Sequence, residues 1–173
     1  VAITVHECAH AWVADQLGDP TARLMGRVSL NPLVHLDPMG SVMMAVTMVM
    51  GVGIGWGKPV PVSPHRLRFG QRLGNGIVAL AGPVANLLTA LVLGLVLRLM
   101  PTPFGGLGGV LTTIALSNIV IAMFNLLPLP PLDGHSVLLG LLSLSKSRVA
   151  WQVSQFILTL RRQGPMVLIV VII

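Results

Sequence analysis

His6, Glu7 and His10 stand in the run Val-His-Glu-Cys-Ala-His-Ala-Trp over residues 5–12, an HExxH motif. On a helix, residues i and i+4 project from one face, so two imidazoles at this spacing can hold a single metal ion. The carboxylate one step round reaches a water bound at the same centre. A catalytic zinc site takes three protein ligands and keeps one position open, so a third ligand must come from elsewhere in the chain. Cys8 is the single cysteine. It lies inside the motif turn, away from the metal-binding face, and reads as a small packing residue; one cysteine excludes both an internal disulfide and a cysteine-based zinc site.

The elements that must position these residues are those of a membrane protein. The 173 residues are 54% hydrophobic and 9% charged, with a mean hydropathy of +0.86, whereas soluble domains carry about 25% charged residues. A soluble fold would have to hide several long apolar runs in a core too small for them. The formal net charge of +6 does not indicate nucleic acid. The basic residues are scattered along loops, and the excess reflects only five acidic side chains, which fits a positive-inside bias. The expected fold class is an all-α polytopic membrane protein, a bundle of transmembrane helices with a small membrane-associated β element, in one domain over 1–173. The chain starts at Val1 without Met and stops inside the apolar run Val167 to Ile173, so it reads as a fragment truncated at both ends.

Val1 to Leu17 reads as a helix stopped by Gly18-Asp19-Pro20. Arg27-Val28-Ser29-Leu30, followed by Asn31-Pro32, suits a short strand and turn. Met39 to Ile54 is apolar and close to the lower length limit for a span, leaving open whether it crosses or dips back out. In Trp56-Gly57-Lys58-Pro59-Val60-Pro61-Val62, prolines at alternate positions predict an extended edge strand, which near a membrane must line a cavity. A basic loop with Arg66, Arg68 and Arg72 precedes a span from Gly76 to Leu97. An uncharged turn over 101–106 then leads to a returning span from Leu107 to Leu127. With Lys146 and Arg148 on the side of Arg66 to Arg72, five cations oppose Arg98, marking that side as cytoplasmic. Trp151 to Leu160 reads as an interfacial amphipathic helix, and Arg161-Arg162 as a boundary before a last span.

Besides Glu7, the acidic residues are Asp15, Asp19, Asp37 and Asp133. Asp15 and Asp19 follow the motif helix so closely that they suit helix-end and turn chemistry, and Asp37 precedes Pro38 in a turn-like pair. Asp133 ends the stretch Asn-Leu-Leu-Pro-Leu-Pro-Pro-Leu-Asp-Gly-His (125–135), where an unpaired carboxylate beside a hydrophobic span is costly and a divalent cation would justify it. Three prolines break the helix ahead of it, and Gly134 lets the backbone turn. A second reading makes Asp133 the N-cap of a helix from His135 to Leu144.

Together the HExxH residues, Leu132-Asp133-Gly134 after Asn125-Leu126-Leu127-Pro128, and Gly82-Pro83-Val84-Ala85-Asn86 between them resemble the site-2 protease family of intramembrane zinc metalloproteases. The chain is most similar to the compact bacterial and archaeal type without a PDZ insertion, in which Asn31-Pro32, Asp37-Pro38 and the Trp-Gly-Lys-Pro-Val-Pro-Val stretch recur. The resemblance implies that His6, His10 and Asp133 hold Zn2+ and that Glu7 is the catalytic base. Asn86 and Asn125 are candidate oxyanion or substrate contacts, with interhelical hydrogen bonding as the alternative for both. Gly82, Pro83 and Ala85 read as small packing residues that let helices approach. His135 departs from the expected small or polar residue and reads as a helix-start residue or a hydrogen-bond partner near the metal. His35 and His65 lack helical ligand spacing and fall outside the metal set.

The function expected is hydrolysis of peptide bonds in or near transmembrane segments of membrane protein substrates, by a multi-pass enzyme of a prokaryotic cell membrane whose partners are such a substrate and the bilayer, with no nucleic acid. The alternative is a proteolytically inactive membrane scaffold or chaperone of the same fold, against which the retained Glu7 speaks. A metal transporter would need further ionisable residues staggered through the spans, and the sequence has almost none.

Overall fold

The computed structural model describes residues 1–49, 51, 57–99 and 105–162. Among these residues seven α-helices follow in order: α1 Ala2–Gln16, α2 Thr21–Leu24, α3 Pro38–Val49, α4 Gln71–Leu99, α5 Gly105–Asn125, α6 Asp133–Leu142 and α7 Arg148–Arg162. Helix α4 packs against α1, α5 and α6, so three elements carrying candidate site residues meet on one helix.

Helices α4 and α5 are the two described helices long and apolar enough to cross a membrane. Their packing is inverted relative to a soluble core. The buried positions of α4 are Gly74, Gly76, Val78, Ala79, Gly82, Pro83, Asn86 and Ala90, whereas Leu88, Leu91 and Val92 on α4 and Leu116, Val120 and Met123 on α5 are exposed. Small residues inside and bulky apolar ones outside is the arrangement expected where lipid, not water, faces the helices, because association then depends on close backbone approach. Gly76 and Gly140 supply such an approach. A Cβ on Gly140 would lie 3.1 Å from the Gly76 Cα and 3.2 Å from the Arg72 carbonyl oxygen. The contact brings the C-terminal part of α6 to the first turns of α4, beside Arg72.

Gly18 ends α1 with φ 103°, a left-handed conformation that favours glycine. Its N–H reaches the Asp15 carbonyl at 3.0 Å and the Asp19 N–H reaches Ala14 at 2.9 Å, satisfying the last carbonyls of the helix. Asp19 itself is fully buried and accepts from the Thr21 N–H and hydroxyl and from the Ser63 N–H. It thus ties the exit of α1 to the loop that enters α4. Asp15 pairs with Arg23 at 3.0 Å. Asp37 accepts from the Gly40 N–H at 2.8 Å at the start of α3.

The expected β element does not form among the described residues, where the single pairing is an isolated bridge between Leu36 and Gly57. Residues 27–30 and 58–63 are irregular. Pro59 and Pro61 remove two donors, and Arg27 takes the place of a partner strand: its buried guanidinium donates to the carbonyls of Val34, Lys58 and Pro59. Helix α3 covers 12 residues, about 18 Å at 1.5 Å per residue, against a hydrocarbon core of about 30 Å. Residues 50 and 52–54 of the Met39 to Ile54 stretch, Trp56, the turn over 101–104 and the expected last span lie outside the described residues.

Burial raises the Asp19 pKa, but the hydrogen bonds from Thr21 and Ser63 and the charge of Arg66 outweigh it and hold the carboxyl below its ordinary value. Folding therefore favours the ionised form. The resulting stabilisation is complete above the unfolded-state pKa and is lost as pH falls through the lower folded-state value. Asp19→Ala is expected to lose about 2 kcal/mol at neutral pH and to show a shallower loss of thermal stability than the wild type from about pH 4 downward, measured by thermal unfolding in detergent. Equal acid slopes would show that Asp19 does not carry this linkage.

Candidate metal centre

Helix α1 places His6 and His10 on one face, and both are buried, with 5% and 7% of their surfaces exposed. Their rings meet edge to face with centroids 4.6 Å apart. Asp133, 127 and 123 residues further along the chain, brings Oδ2 to 2.8 Å from His6 Nε2 and 3.2 Å from His10 Nε2. The three ligand atoms all lie within 4.8 Å of one another, and among the described residues this is the one such cluster.

Asp133 opens α6, but its carboxylate does not cap it. The N-cap position is Leu132, and no side-chain cap hydrogen bond is made. The carboxylate is directed at the imidazoles instead. Gly134 serves this placement by contact, not by turning the chain. It lies within the first turn of α6, where an added Cβ would come within 2.2 Å of the Leu126 carbonyl oxygen. Only glycine lets the start of α6 press against the end of α5 so closely.

Helix α4 forms the wall behind the imidazoles. A Cβ at Gly82 would stand 2.5 Å from His10 Nε2 and 2.6 Å from His6 Cε1, so the absent side chain is the space the two rings occupy. His10 Nδ1 donates to the Val78 carbonyl at 2.7 Å. That bond fixes the proton on Nδ1 and leaves the Nε2 lone pair directed at the cluster, the usual tautomer arrangement of a metal-binding histidine. Pro83, inside α4, has no N–H to donate to the carbonyl of Ala79.

His6, Glu7, His10 and Asp133 share a cavity of about 590 Å³ with Asn125 and the loop residues Pro59, Val60 and Val62. Gln71, Arg72 and Asn75 add a polar rim from the first turns of α4. Asn125 also donates to the Ile121 carbonyl at 3.0 Å. Asn86 does not line this cavity. It is fully buried behind His6, with Nδ2 3.3 Å from His6 Nδ1. His135 is buried beside the Ser136 hydroxyl. His35 is buried with its Nε2 2.8 Å from the Ser29 carbonyl oxygen, and His65 meets Gln71; neither joins the cluster. The Val78 carbonyl and the Arg27 clamp have no counterpart in the sequence reading, because backbone carbonyls carry no residue type and a loop arginine announces no partner.

Residues 101–162, which include Asp133 and Asn125, match the model for peptidase family M50. Among curated relatives, "Putative zinc metalloprotease YwhC" of Bacillus subtilis (strain 168) is 40% identical over 147 residues, covering 80% of this chain and 64% of the relative. "Putative zinc metalloprotease Rip2" of Mycobacterium tuberculosis (strain Erdman) is 31% identical over 163 residues, covering 93% of this chain and 62% of the relative. Rip2 of Mycolicibacterium smegmatis is 33% identical over 140 residues, 80% of this chain and 53% of that protein. The chain belongs to the M50, or site-2 protease, family. It spans between about half and two thirds of the length of these relatives. No solved structure matches it.

Members of the M50 family are membrane proteins and use zinc, and the donor set here fits that metal. Two imidazole nitrogens and a carboxylate oxygen are ordinary zinc ligands. A tetrahedral ion with bonds of about 2.1 Å needs donors roughly 3.4 Å apart, close to the 2.8 and 3.2 Å separations between Asp133 and the two imidazoles. Gly82→Ala is expected to push the imidazoles apart and to lower zinc content per purified chain well below that of the wild type, read by elemental analysis. Full zinc occupancy in this variant would mean that the rings have more room than the structure allows them.

Proposed function

We propose that this chain is the catalytic core of an intramembrane zinc metalloprotease, multi-pass in a prokaryotic cell membrane, that hydrolyses peptide bonds in or near transmembrane segments of membrane protein substrates. The observation that carries this reading is the convergence of His6, His10 and Asp133 on a cavity that Glu7 also lines, beside helices apolar enough to cross a membrane. His6 and His10 would hold the ion through Nε2 and Asp133 through its carboxylate. Zinc, when bound, supplies Lewis-acid polarisation of the substrate carbonyl and makes water acidic near neutral pH.

Glu7 acts as the base. Its carboxylate takes the proton of the attacking water and returns it to the leaving amine, a role worth typically 10²–10⁴-fold in rate. Asn125 has an amide on the cavity wall and supplies a donor toward the carbonyl oxygen as charge builds there. Proteolysis needs an extended peptide, so a helical substrate must open before it is cut. The Pro59 to Val62 segment, which lines the cavity and whose Pro59 carbonyl accepts from Arg27, would offer backbone groups to such a segment by strand addition. The five acidic residues are all accounted for by Glu7, Asp133, a helix-end ion pair and two turn or cap contacts, which leaves no staggered series for ion transport.

Glu7→Gln is expected to keep zinc at the wild-type level while lowering cleavage of a reconstituted transmembrane substrate by at least about 10²-fold. Cleavage undiminished in Glu7→Gln would remove Glu7 as the base. Arg27→Met is expected to leave zinc content unchanged and to reduce cleavage by releasing residues 58–62. Unaltered cleavage in that variant, or in a chain lacking the segment, would refute strand addition.

A further inference from the structure

Asn86 occupies a place that neither packing nor substrate contact explains. It is fully buried inside α4, and while its Nδ2 lies 3.3 Å from His6 Nδ1, its Oδ1 has no hydrogen-bond partner. A buried amide oxygen left unmatched is costly, and Asn86 stands next to a proposed metal ligand. In the arrangement seen, the Asn86 N–H donates to the Nδ1 lone pair, so the His6 proton is on Nε2, where it bonds Asp133 at 2.8 Å. That tautomer cannot bind a metal through Nε2. A metal-binding His6 must carry its proton on Nδ1, and that N–H then needs an acceptor.

The two ends of a carboxamide are nearly the same size. A half turn of the Asn86 side-chain amide puts the unmatched Oδ1 where Nδ2 stands, within hydrogen-bond reach of His6 Nδ1. We infer that Asn86 is a positioning residue for His6: its amide holds the ring in either tautomer and, by presenting Oδ1, secures the one that binds zinc. His10 has a fixed acceptor for the same purpose in the Val78 carbonyl. Both imidazoles are therefore oriented from α4, one by a backbone oxygen and one by a side chain that can reverse. This inference rests on the proposed zinc site.

The test is zinc affinity by competition with a chromophoric chelator, on detergent-purified wild type, Asn86→Leu and Asn86→Asp, with thermal unfolding of each zinc-free protein measured in parallel. Leu has similar volume and no acceptor; Asp keeps an acceptor for the Nδ1 proton. The expected result is a 10–100-fold weaker zinc affinity in Asn86→Leu and affinity within a few-fold of wild type in Asn86→Asp. Wild-type affinity in Asn86→Leu, even with a lowered zinc-free unfolding temperature, would reduce Asn86 to interhelical packing and overturn the inference. Equal weakening in both variants would overturn it too, since the acceptor would then not be what matters. Zinc absent from the wild type would instead overturn the metal reading on which it rests.

Discussion

A carboxylate set among apolar helices is costly unless something compensates its charge, and the fold of this chain is arranged around that constraint at Asp133. The two imidazoles of α1 meet its Oδ2, and α4, with no side chain at Gly82, makes room for the rings. Asp133 comes from a helix whose start is pressed against the end of α5 through Gly134. Four helices thus converge on one charge. Loss of any of these close approaches would leave the carboxylate, or a histidine, buried without its partner.

Small residues do different work here from that in a water-soluble core. In α4 the buried face is built of Gly, Ala, Pro and Asn with Val78 as its larger apolar residue, while Leu88, Leu91 and Val92 face outward. Without a hydrophobic drive between helices in lipid, close packing and buried polar contacts must hold them together. The polar contacts of α4 to His6 and His10 meet that need while also setting ring orientation. Away from the centre, Asp19 and Arg27 brace the connecting loops by accepting from, or donating to, backbone groups that no regular structure pairs.

Much of the centre was legible in the sequence for physical reasons. HExxH is a local pattern whose i, i+4 geometry follows once the segment is helical, and Asp133 stands out because a carboxylate there is expensive in apolar surroundings. The two long apolar helices followed from hydropathy alone. The β element was not correctly legible. Alternate prolines keep 58–63 out of a helix, but whether such a segment gains a strand partner depends on distant chain, and here an arginine side chain donates to its carbonyls instead. Asn86 illustrates the same limit. Its cost in a span was evident, but whether it would meet the cavity or the back of His6 was fixed by the rotation of α4 against α1. The direction of Gly134's contribution was also hidden, because steric contact with Leu126 is invisible until two helices are packed.

The proposed function depends on a metal held jointly by His6 and His10 of α1 and Asp133 of α6. The most direct test is zinc stoichiometry, by elemental analysis of detergent-purified wild type beside His6→Ala and Asp133→Ala. One zinc per wild-type chain, lost in both variants, is the predicted result. Zinc retained at full occupancy without Asp133, or absent from the intact chain, would contradict it.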